Sequence, residues 1–337
     1  MTTRATGWTQ ELARARLHVV TGKGGTGKTT VAAALALALA TGGRRVLLVE
    51  VEGRQGIAQL FDLAPLPYAE EHIASAPGGG EVRALAIDPE AALLEYLSMF
   101  YNLGFAGRTL RRMGAIEFAT TLAPGLRDVL LTGKIKECVR RTGTQDRHGR
   151  YAYDAVVVDA PPTGRVVRFL DVTRAMADLA KMGPIKDQSE GVVRLLHSGD
   201  TAVHLVALLE EMPVRETLDA VAELDGADLR PGAVVVNRVR PARLPEPVLR
   251  QAATGAVDTA RLRADLLASG LDLAGDALDG LVDETVEHAV RVRAEQRARD
   301  QLDEADLPAL ELPERTDGVD VGVLYELAAR LRDQGVR

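Results

Sequence analysis

The sequence predicts an α/β fold in which a mostly parallel sheet is flanked by helices and carries an inserted helical subdomain. Three observations predict it. Short valine-rich runs alternate with helical stretches along the chain, as they do in βαβ units. The runs are apolar throughout, which is typical of parallel strands that are covered on both faces. Between the second and third runs, residues 89–141 carry a helical pattern, which indicates the insertion.

Each strand is predicted from one such run. The strands are expected, in chain order, at residues 17–21, 45–52, 153–160, 202–208, 233–237 and 309–313, with a weaker candidate at 82–88. Helical patterns cover 89–141 and 171–198, and apolar residues at the helical period predict that 321–331 form a helix packed on the core. We therefore expect a flexible N-terminus at 1–14, a discontinuous core at 15–88, 149–170 and 200–337, and a helical subdomain formed by 89–148 and 171–199.

Composition and charge exclude several classes of protein. The chain has 337 residues, of which 46% are hydrophobic, and a formal net charge of −7, which argues against broad nucleic-acid binding. The N-terminus is polar and lacks the apolar core of a signal peptide, and the longest apolar run, residues 31–40, is too short to cross a bilayer. We expect that run to be a buried helix and the protein to be cytoplasmic. A single cysteine, Cys138, allows neither an intrachain disulfide nor a CxxC metal pair.

One motif carries the chemistry. Residues 22–29, GKGGTGKT, fit the phosphate-binding pattern GxxxxGK[ST] between a predicted strand and a predicted helix, which indicates a P-loop nucleoside triphosphatase. Glycines let backbone N–H groups approach phosphate oxygens, and the helix N-terminus adds its dipole. Lys28 is expected to reach the β- and γ-phosphates, and Thr29 to ligate Mg²⁺. The expected nucleotide-binding residues are Gly22, Gly24, Gly25, Thr26, Gly27, Lys28, Thr29 and Thr30.

The loop contains a second lysine, Lys23, which a phosphate loop does not need. Its position before the wrapping glycines is also compatible with a solvated surface lysine. The full string KGGTGKTT, however, resembles the deviant phosphate loop of the signature-lysine ATPases. That family includes the partition and cell-division ATPases, nitrogenase iron protein, the arsenite-pump ATPase ArsA and the tail-anchored-protein targeting ATPase. The resemblance implies that ATP lies between two subunits and that Lys23 crosses to the partner's nucleotide.

The string VVVDAPPTGRVVRFLDV, residues 156–172, points to one branch of that family. It resembles the sequence DTAPTGHTLRFL of the ArsA and tail-anchored-targeting branch at Asp159, Pro162, Thr163, Gly164, Arg168, Phe169 and Leu170. An aspartate at the carboxyl end of a strand beside a phosphate loop is placed to hold Mg²⁺ through water. Gly164 is expected to swing as the γ-phosphate comes and goes.

The loop after the second strand, VEVEGRQGIAQLFD, corresponds to the switch loop of that branch, which reads roughly STDPAHNLSDAF. Aligned without gaps, Glu52 falls on the aspartate that orients the attacking water and Phe61 on the closing phenylalanine. Gly53, Arg54 and Gln55 depart from the pattern. Because glutamate is one methylene longer than aspartate, we expect slow or partner-stimulated hydrolysis. A solvated Glu52 without a role is the alternative.

Further segments extend the resemblance over most of residues 15–337, with a poor match over 240–300. Asp128 stands where the branch has a glutamate at a helix start, and Glu216 with Thr217 matches its Glu-Thr pair. Asn237 matches the asparagine that the family uses to hydrogen-bond adenine, and Pro313 is a weaker candidate for bordering the base. A strand-end turn residue is the alternative for Asn237.

Departures from the family limit the function. Cys138 alone cannot form the soft metalloid site of the arsenite pump, so arsenite export is not expected. Without a CxxC pair no zinc is expected between subunits. We therefore expect a dimer held by nucleotide and packing, either a homodimer or a heterodimer with a paralogous ATPase.

The helical blocks suggest a cargo. They hold most of the chain's phenylalanines and methionines, namely Phe100, Phe105, Phe118, Met99, Met113, Met176 and Met182. Such residues suit an adaptable groove for a hydrophobic client, although the core of a small bundle would look the same. The expected function is a Mg-ATP-dependent dimeric switch that handles a hydrophobic client or membrane partner, with transient membrane association. The alternatives are a partition-type positioning ATPase and a catalytically weak regulatory or scaffold subunit.

Overall fold

The computed structural model describes residues 7–101, 126–143, 150–171 and 184–337. Its strands are β1 Leu17–Gly22, β2 Arg45–Glu50, β3 Glu71–Ala76, β4 Gly80–Ala86, β5 Ala155–Asp159, β6 Thr201–Ala207, β7 Pro231–Val239 and β8 Ala309–Pro313. They form one sheet in the order β3-β4-β2-β5-β1-β6-β7-β8, in which only the β3–β4 pair is antiparallel. The predicted α/β fold with a mostly parallel sheet is confirmed.

Helices cover both faces of this sheet. They are α1 Gln10–Arg14, α2 Lys28–Ala40, α3 Gly56–Leu60, α4 Pro89–Tyr101, α5 Leu126–Arg140, α6 Thr163–Leu170, α7 Pro184–Leu196, α8 Glu211–Gly226, α9 Glu246–Ala252, α10 Thr259–Ala268, α11 Gly275–Leu302 and α12 Val321–Asp333, with a 3₁₀ turn at Asp303–Ala305. The helices α4 and α7 both pack on α5 beside β5, and α12 packs on α2.

The valine-rich runs became strands because both of their faces are covered. Every residue of β1, β5 and β6 is buried. The run at 31–40 forms the body of α2 and is buried on all sides, which confirms the predicted buried helix. None of the helices in the described residues is long and apolar enough to span a membrane. The strand β3 was not predicted, because it is a half-exposed edge strand that turns back on β4 through a glycine turn.

Residues 8–15 and the residues after α12 lie together at the amino ends of the strands. Within the segment 1–14, Thr9 caps α1 and Leu12 is buried, while the Trp8 backbone N–H donates to the Gln334 carbonyl. The Gln334 side-chain amide accepts a hydrogen bond from the Glu311 backbone N–H at 2.7 Å and donates one to the Glu311 carbonyl at 2.8 Å. The outer edge of β8 is therefore closed at Glu311.

Two fully buried histidines, His18 in β1 and His204 in β6, lie side by side against Trp8. The backbone N–H of Ala233 donates to His204 Nδ1 at 3.0 Å, so the neutral His204 ring carries its proton on Nε2. That Nε2 donates to His18 Nδ1 at 3.1 Å, and His18 Nε2 donates to the Ala15 carbonyl at 3.1 Å. Burial lowers the pKa of both rings, that of His18 to about 4. Both histidines are therefore neutral in the folded chain.

Candidate functional site

The phosphate loop lies at the carboxyl ends of the central strands. It leaves β1, whose neighbours are β5 and β6, and α2 begins at Lys28. Gly27 precedes the helix with φ +88°, a left-handed conformation that favours glycine. A Cβ on Gly27 would lie 2.4 Å from Asn237 Nδ2, so the close approach of this asparagine also requires glycine. Gly24 and Gly25 are exposed at the open side of the loop.

Lys28, Thr29 and Asp159 meet at the start of α2. Thr29 Oγ1 donates to Asp159 Oδ2 at 2.7 Å. Asp159 Oδ1 is buried and has no hydrogen-bond partner among the described residues. Burial raises the pKa of the Asp159 carboxyl to about 6, although Thr29 and Lys28 act in the opposite direction. Burial likewise lowers the pKa of Lys28.

This arrangement fits a magnesium ion. A buried carboxylate oxygen that lacks a donor is stabilised by a cation, and carboxylate with hydroxyl is a donor set that Mg²⁺ prefers. Within the described ranges, no three His, Cys, Asp or Glu side chains come together as a metal site. None is needed when the nucleotide phosphates supply the remaining oxygens. Thr29 and Asp159 are thus the residues that can hold Mg²⁺.

The switch loop after β2 is anchored by a residue that the sequence analysis missed. Glu50 is buried, and its two carboxylate oxygens accept from the backbone N–H groups of Gln55 at 2.5 Å and Ile57 at 3.1 Å. Gln55 has φ +57°. Its side-chain amide donates to the Leu66 carbonyl and accepts from the Leu66 backbone N–H. The only signal in the sequence was a carboxylate at the end of an otherwise apolar strand.

Glu52, the expected water-orienting residue, is bound by two arginines. Arg165 Nη2 in the first turn of α6 donates to Glu52 Oε1, and Arg54 Nη2 lies 3.6 Å from Oε2. The Glu52 side chain is 16% exposed. It is therefore an ion-paired group rather than a solvated one, and it joins the loop after β2 to the loop after β5. Phe61 is buried, as a closing residue should be.

Lys23 is paired within its own chain. Its Nζ donates to Glu216 Oε1 at 2.7 Å, and about a third of each side chain is exposed. Glu216 belongs to α8, which packs on α6. The neighbouring Thr217 is buried and donates to the Pro213 carbonyl inside the same helix. Of the Glu-Thr pair, only Glu216 reaches the phosphate loop.

A cavity of about 420 Å³ adjoins the loop at the carboxyl ends of β6, β7 and β8. Asn237 lines it, and Asn237 Nδ2 donates to the Thr26 carbonyl at 2.9 Å. Glu314, the residue after Pro313, also lines it and accepts from Arg240 at 2.7 and 3.1 Å. The volume is that of a small-ligand pocket. One wall of the cavity comes from α11, most of which lies in the segment 240–300, where the resemblance to the family is poor.

The remaining predicted residues lie farther out. Asp128 is half-buried in the first turn of α5, and burial raises the pKa of its carboxyl. Cys138 is fully buried, and burial raises the pKa of its thiol to about 12, so this thiol stays protonated. Thr30 is half-buried in α2. The side chains that predicted a client groove, Phe100, Phe105, Phe118, Met99, Met113, Met176 and Met182, lie outside those that the structure describes.

Comparison with known proteins identifies the family of this chain. Residues 15–198 match the family described as anion-transporting ATPase. ATPase BagA of Mycobacterium tuberculosis is 62% identical over 331 residues, which cover 98% of this chain and 96% of that protein. An arsenical pump-driving ATPase of Escherichia coli is 28% identical over 66% of this chain and 39% of its own length. ATPase GET3 of Kluyveromyces lactis is 24% identical over 65% of this chain and 71% of its own length.

The loop geometry, the family match and the near full-length similarity to a mycobacterial ATPase lead to one conclusion. The chain belongs to the anion-transporting ATPase family, the family of ArsA and GET3, and is an ATP-hydrolysing enzyme.

Proposed function

We propose that this ATPase is a Mg-ATP-driven dimeric switch. The observation that carries the proposal is the Glu52–Arg165 ion pair, which joins the loop after β2 to the first turn of α6, and both of its residues act electrostatically on Lys28. A change at the γ-phosphate would therefore alter the conformation of both segments together. The helical subdomain, residues 89–148 and 171–199, is the part that the switch moves, because its second segment begins directly after α6, which carries Arg165.

The residues divide the work of hydrolysis. Lys28 binds the β- and γ-phosphates, and the backbone N–H groups of residues 22–30 surround them. Thr29 and Asp159 would hold Mg²⁺, which would supply charge neutralisation on the phosphates. Glu52 orients the attacking water. The helix dipole of α2 adds to the positive potential at the same place.

Asn237 selects the base. Because its Nδ2 is engaged by the Thr26 carbonyl, the amide orientation is fixed and Oδ1 remains as an acceptor. An acceptor can take a hydrogen bond from the amino group of adenine but repels the carbonyl oxygen at the corresponding position of guanine. Pro313 borders the base at the end of β8. Buried polar groups of this kind discriminate strongly between substrates.

Lys23 completes the site of a partner subunit. In the single chain it is bound to Glu216, so crossing to a partner's nucleotide exchanges one anion for another. The phosphates carry more charge than a carboxylate, which favours the exchange when ATP is bound. The partner is a second copy or a paralogous ATPase. The cycle captures or releases a hydrophobic client or a membrane protein, and the protein acts in the cytoplasm with transient membrane association.

One alternative has an observation in its favour. Two arginines neutralise Glu52, as expected for a catalytically weak regulatory subunit. A partition-type role has less support, because the apolar residues Leu324, Leu327 and Leu331 of α12 are buried against the core and cannot face a membrane.

The test is the molar mass in solution with and without Mg-ATP, measured by light scattering beside the ATP hydrolysis rate. We expect ATP to double the mass of the wild type, and Lys23→Ala to abolish this while ATP binding is retained. A wild type that binds ATP and stays monomeric would exclude the homodimer, and the assay would then be repeated with the paralogue. No hydrolysis in either case would favour the regulatory subunit.

A further inference from the structure

Arg165 is a charged side chain that connects the start of α6 to the expected water-orienting residue, Glu52. Its guanidinium contacts Glu52 through Nη2 alone, and 62% of the side chain is exposed. An arginine normally presents a fork of donors to a carboxylate or phosphate. Most of this fork is therefore available to a second acceptor. In the family string quoted above a histidine follows TG, so this chain differs at Arg165.

The charge of Arg165 acts on the phosphate-binding lysine. Arg165 and Arg54 both act electrostatically on Lys28, as do Asp159 and Glu52 with the opposite sign. With Glu50, which acts on Asp159, three cations and three carboxylates interact around the phosphate end of the loop. An incoming γ-phosphate adds negative charge to this balanced set and therefore competes with the carboxylates for the arginines.

Arg165 lies on the exposed side of the first turn of α6. It follows Gly164, and a Cβ placed on Gly164 would meet nothing within 4 Å apart from its chain neighbours and its own helix. Arg54 differs from Arg165, because Arg54 stands on the same loop as Glu52 and lies 3.6 Å from it. Of the two arginines, Arg165 is therefore the one that can leave Glu52 without a change in the loop after β2.

We propose that Arg165 contacts the γ-phosphate of bound ATP and that it leaves Glu52 to do so. While it is paired with Glu52, it restrains that carboxylate. When ATP binds, the γ-phosphate is the more highly charged acceptor and takes the guanidinium, and Glu52 is released to orient water. This rests on the proposed role of Glu52. Arg165 is then a catalytic residue supplied by the same chain as the phosphate loop, which stabilises charge that develops in the transition state.

The step that Arg165 assists is a simple hydrolysis. The water oxygen bonds to the γ-phosphorus while the bond from that phosphorus to the β–γ bridging oxygen breaks. Both hydrogens of the water end on the inorganic phosphate, so that ATP⁴⁻ and H₂O give ADP³⁻ and H₂PO₄⁻. Arg165 donates hydrogen bonds to the transferred oxygens throughout and neither gains nor loses a proton.

The test compares two nucleotides that differ in the γ-phosphate. Binding of Mg-ADP and of Mg-ATPγS is measured by calorimetry on the full chain, together with kcat and KM for ATP, for the wild type, Arg165→Ala, Arg165→Lys and Arg54→Ala. For Arg165→Ala we expect kcat to fall about 100-fold, in the range of a lost transition-state donor. We expect ATPγS affinity to fall about tenfold with ADP affinity unchanged, because only ATPγS offers a γ-phosphate to one charge-assisted contact.

Arg165→Lys keeps the charge without the fork and should lie between wild type and alanine. Arg54→Ala removes the other arginine beside Glu52 and should change kcat by no more than about threefold, as for a weak exposed pair.

Three results would overturn the inference. An Arg165→Ala variant that hydrolyses ATP as fast as the wild type, or faster, would show that the ion pair only restrains Glu52. Equal losses of ADP and ATPγS affinity would show a structural role, and equal effects of Arg54→Ala and Arg165→Ala would show that only the charge near Glu52 matters. Failure of the proposed function looks different. A wild type without hydrolysis, or Glu52→Gln with full kcat, would refute the role of Glu52, while the ADP and ATPγS affinities would still decide whether Arg165 contacts the γ-phosphate.

Discussion

The buried histidine pair makes the fold sensitive to acid, and lowering the pH from 7 to 5 is the perturbation that reveals it. The His18 pKa is about 4 in the folded chain against 6.5 for the free side chain. Between these values the unfolded chain binds more protons, so stability is fully present above pH 6.5 and is lost as the pH falls. At pH 5 the difference amounts to 1.5 pH units, or about 2 kcal/mol at about 1.36 kcal/mol per unit. His204 adds to this in the same direction.

The assay uses the only tryptophan, Trp8, which stacks on His204 with ring centroids 5.2 Å apart. Urea unfolding followed by its fluorescence at pH 7 and pH 5 gives the change in free energy of unfolding. His18→Gln should remove part of the pH dependence, whatever it does to stability at pH 7. The exposed His72 provides a control, and His72→Gln should leave the pH dependence unchanged. The reasoning is refuted if His18→Gln and the wild type lose the same free energy between pH 7 and pH 5.

Three further predictions concern the site. Asp159→Asn should lower kcat by about 100-fold or more, and Mg²⁺ should no longer raise the affinity for ATP. Titration of ATP with and without EDTA measures this effect, and an unchanged Mg²⁺ dependence would contradict it. Glu216→Gln removes the ion-pair partner of Lys23, so ATP-dependent association should occur at lower protein concentration. Light scattering across a dilution series measures this, and weaker association of the variant would count against the prediction. Gly27→Ala places a Cβ against Asn237 at φ +88°, which should cost at least about 1 kcal/mol in stability and weaken ATP binding, as thermal shift with ATP would show.

The sequence identified the parts of the site that are local in the chain. Gly22 to Thr29 could be predicted because a phosphate loop needs its glycines and lysine at fixed spacing. Asp159 could be predicted because a carboxylate after an apolar run marks the carboxyl end of a parallel strand. Apolar runs likewise located seven of the strands, and β3 escaped because edge strands are half-exposed and alternate less.

The contacts that connect distant segments could not be predicted. Lys23 meets Glu216 across 193 residues and Arg165 meets Glu52 across 113, and no spacing rule encodes such pairs. Glu50 was missed because its role depends on where the backbone N–H groups of the next loop point. The α11 wall of the cavity was missed because nothing in its sequence distinguishes a helix that closes a pocket from one in solvent.

The Gln334 side chain has a consequence for how two chains can meet. Its amide occupies both backbone groups of Glu311 that face away from the sheet, so a foreign strand cannot extend the sheet there without displacing it. The same helix reaches the opposite edge, where Tyr325 donates to the Ser75 carbonyl of β3. One terminal helix thus disfavours ribbon-like stacking of copies. The amide proton of Glu311 should exchange slowly with deuterium although it lies on an outermost strand.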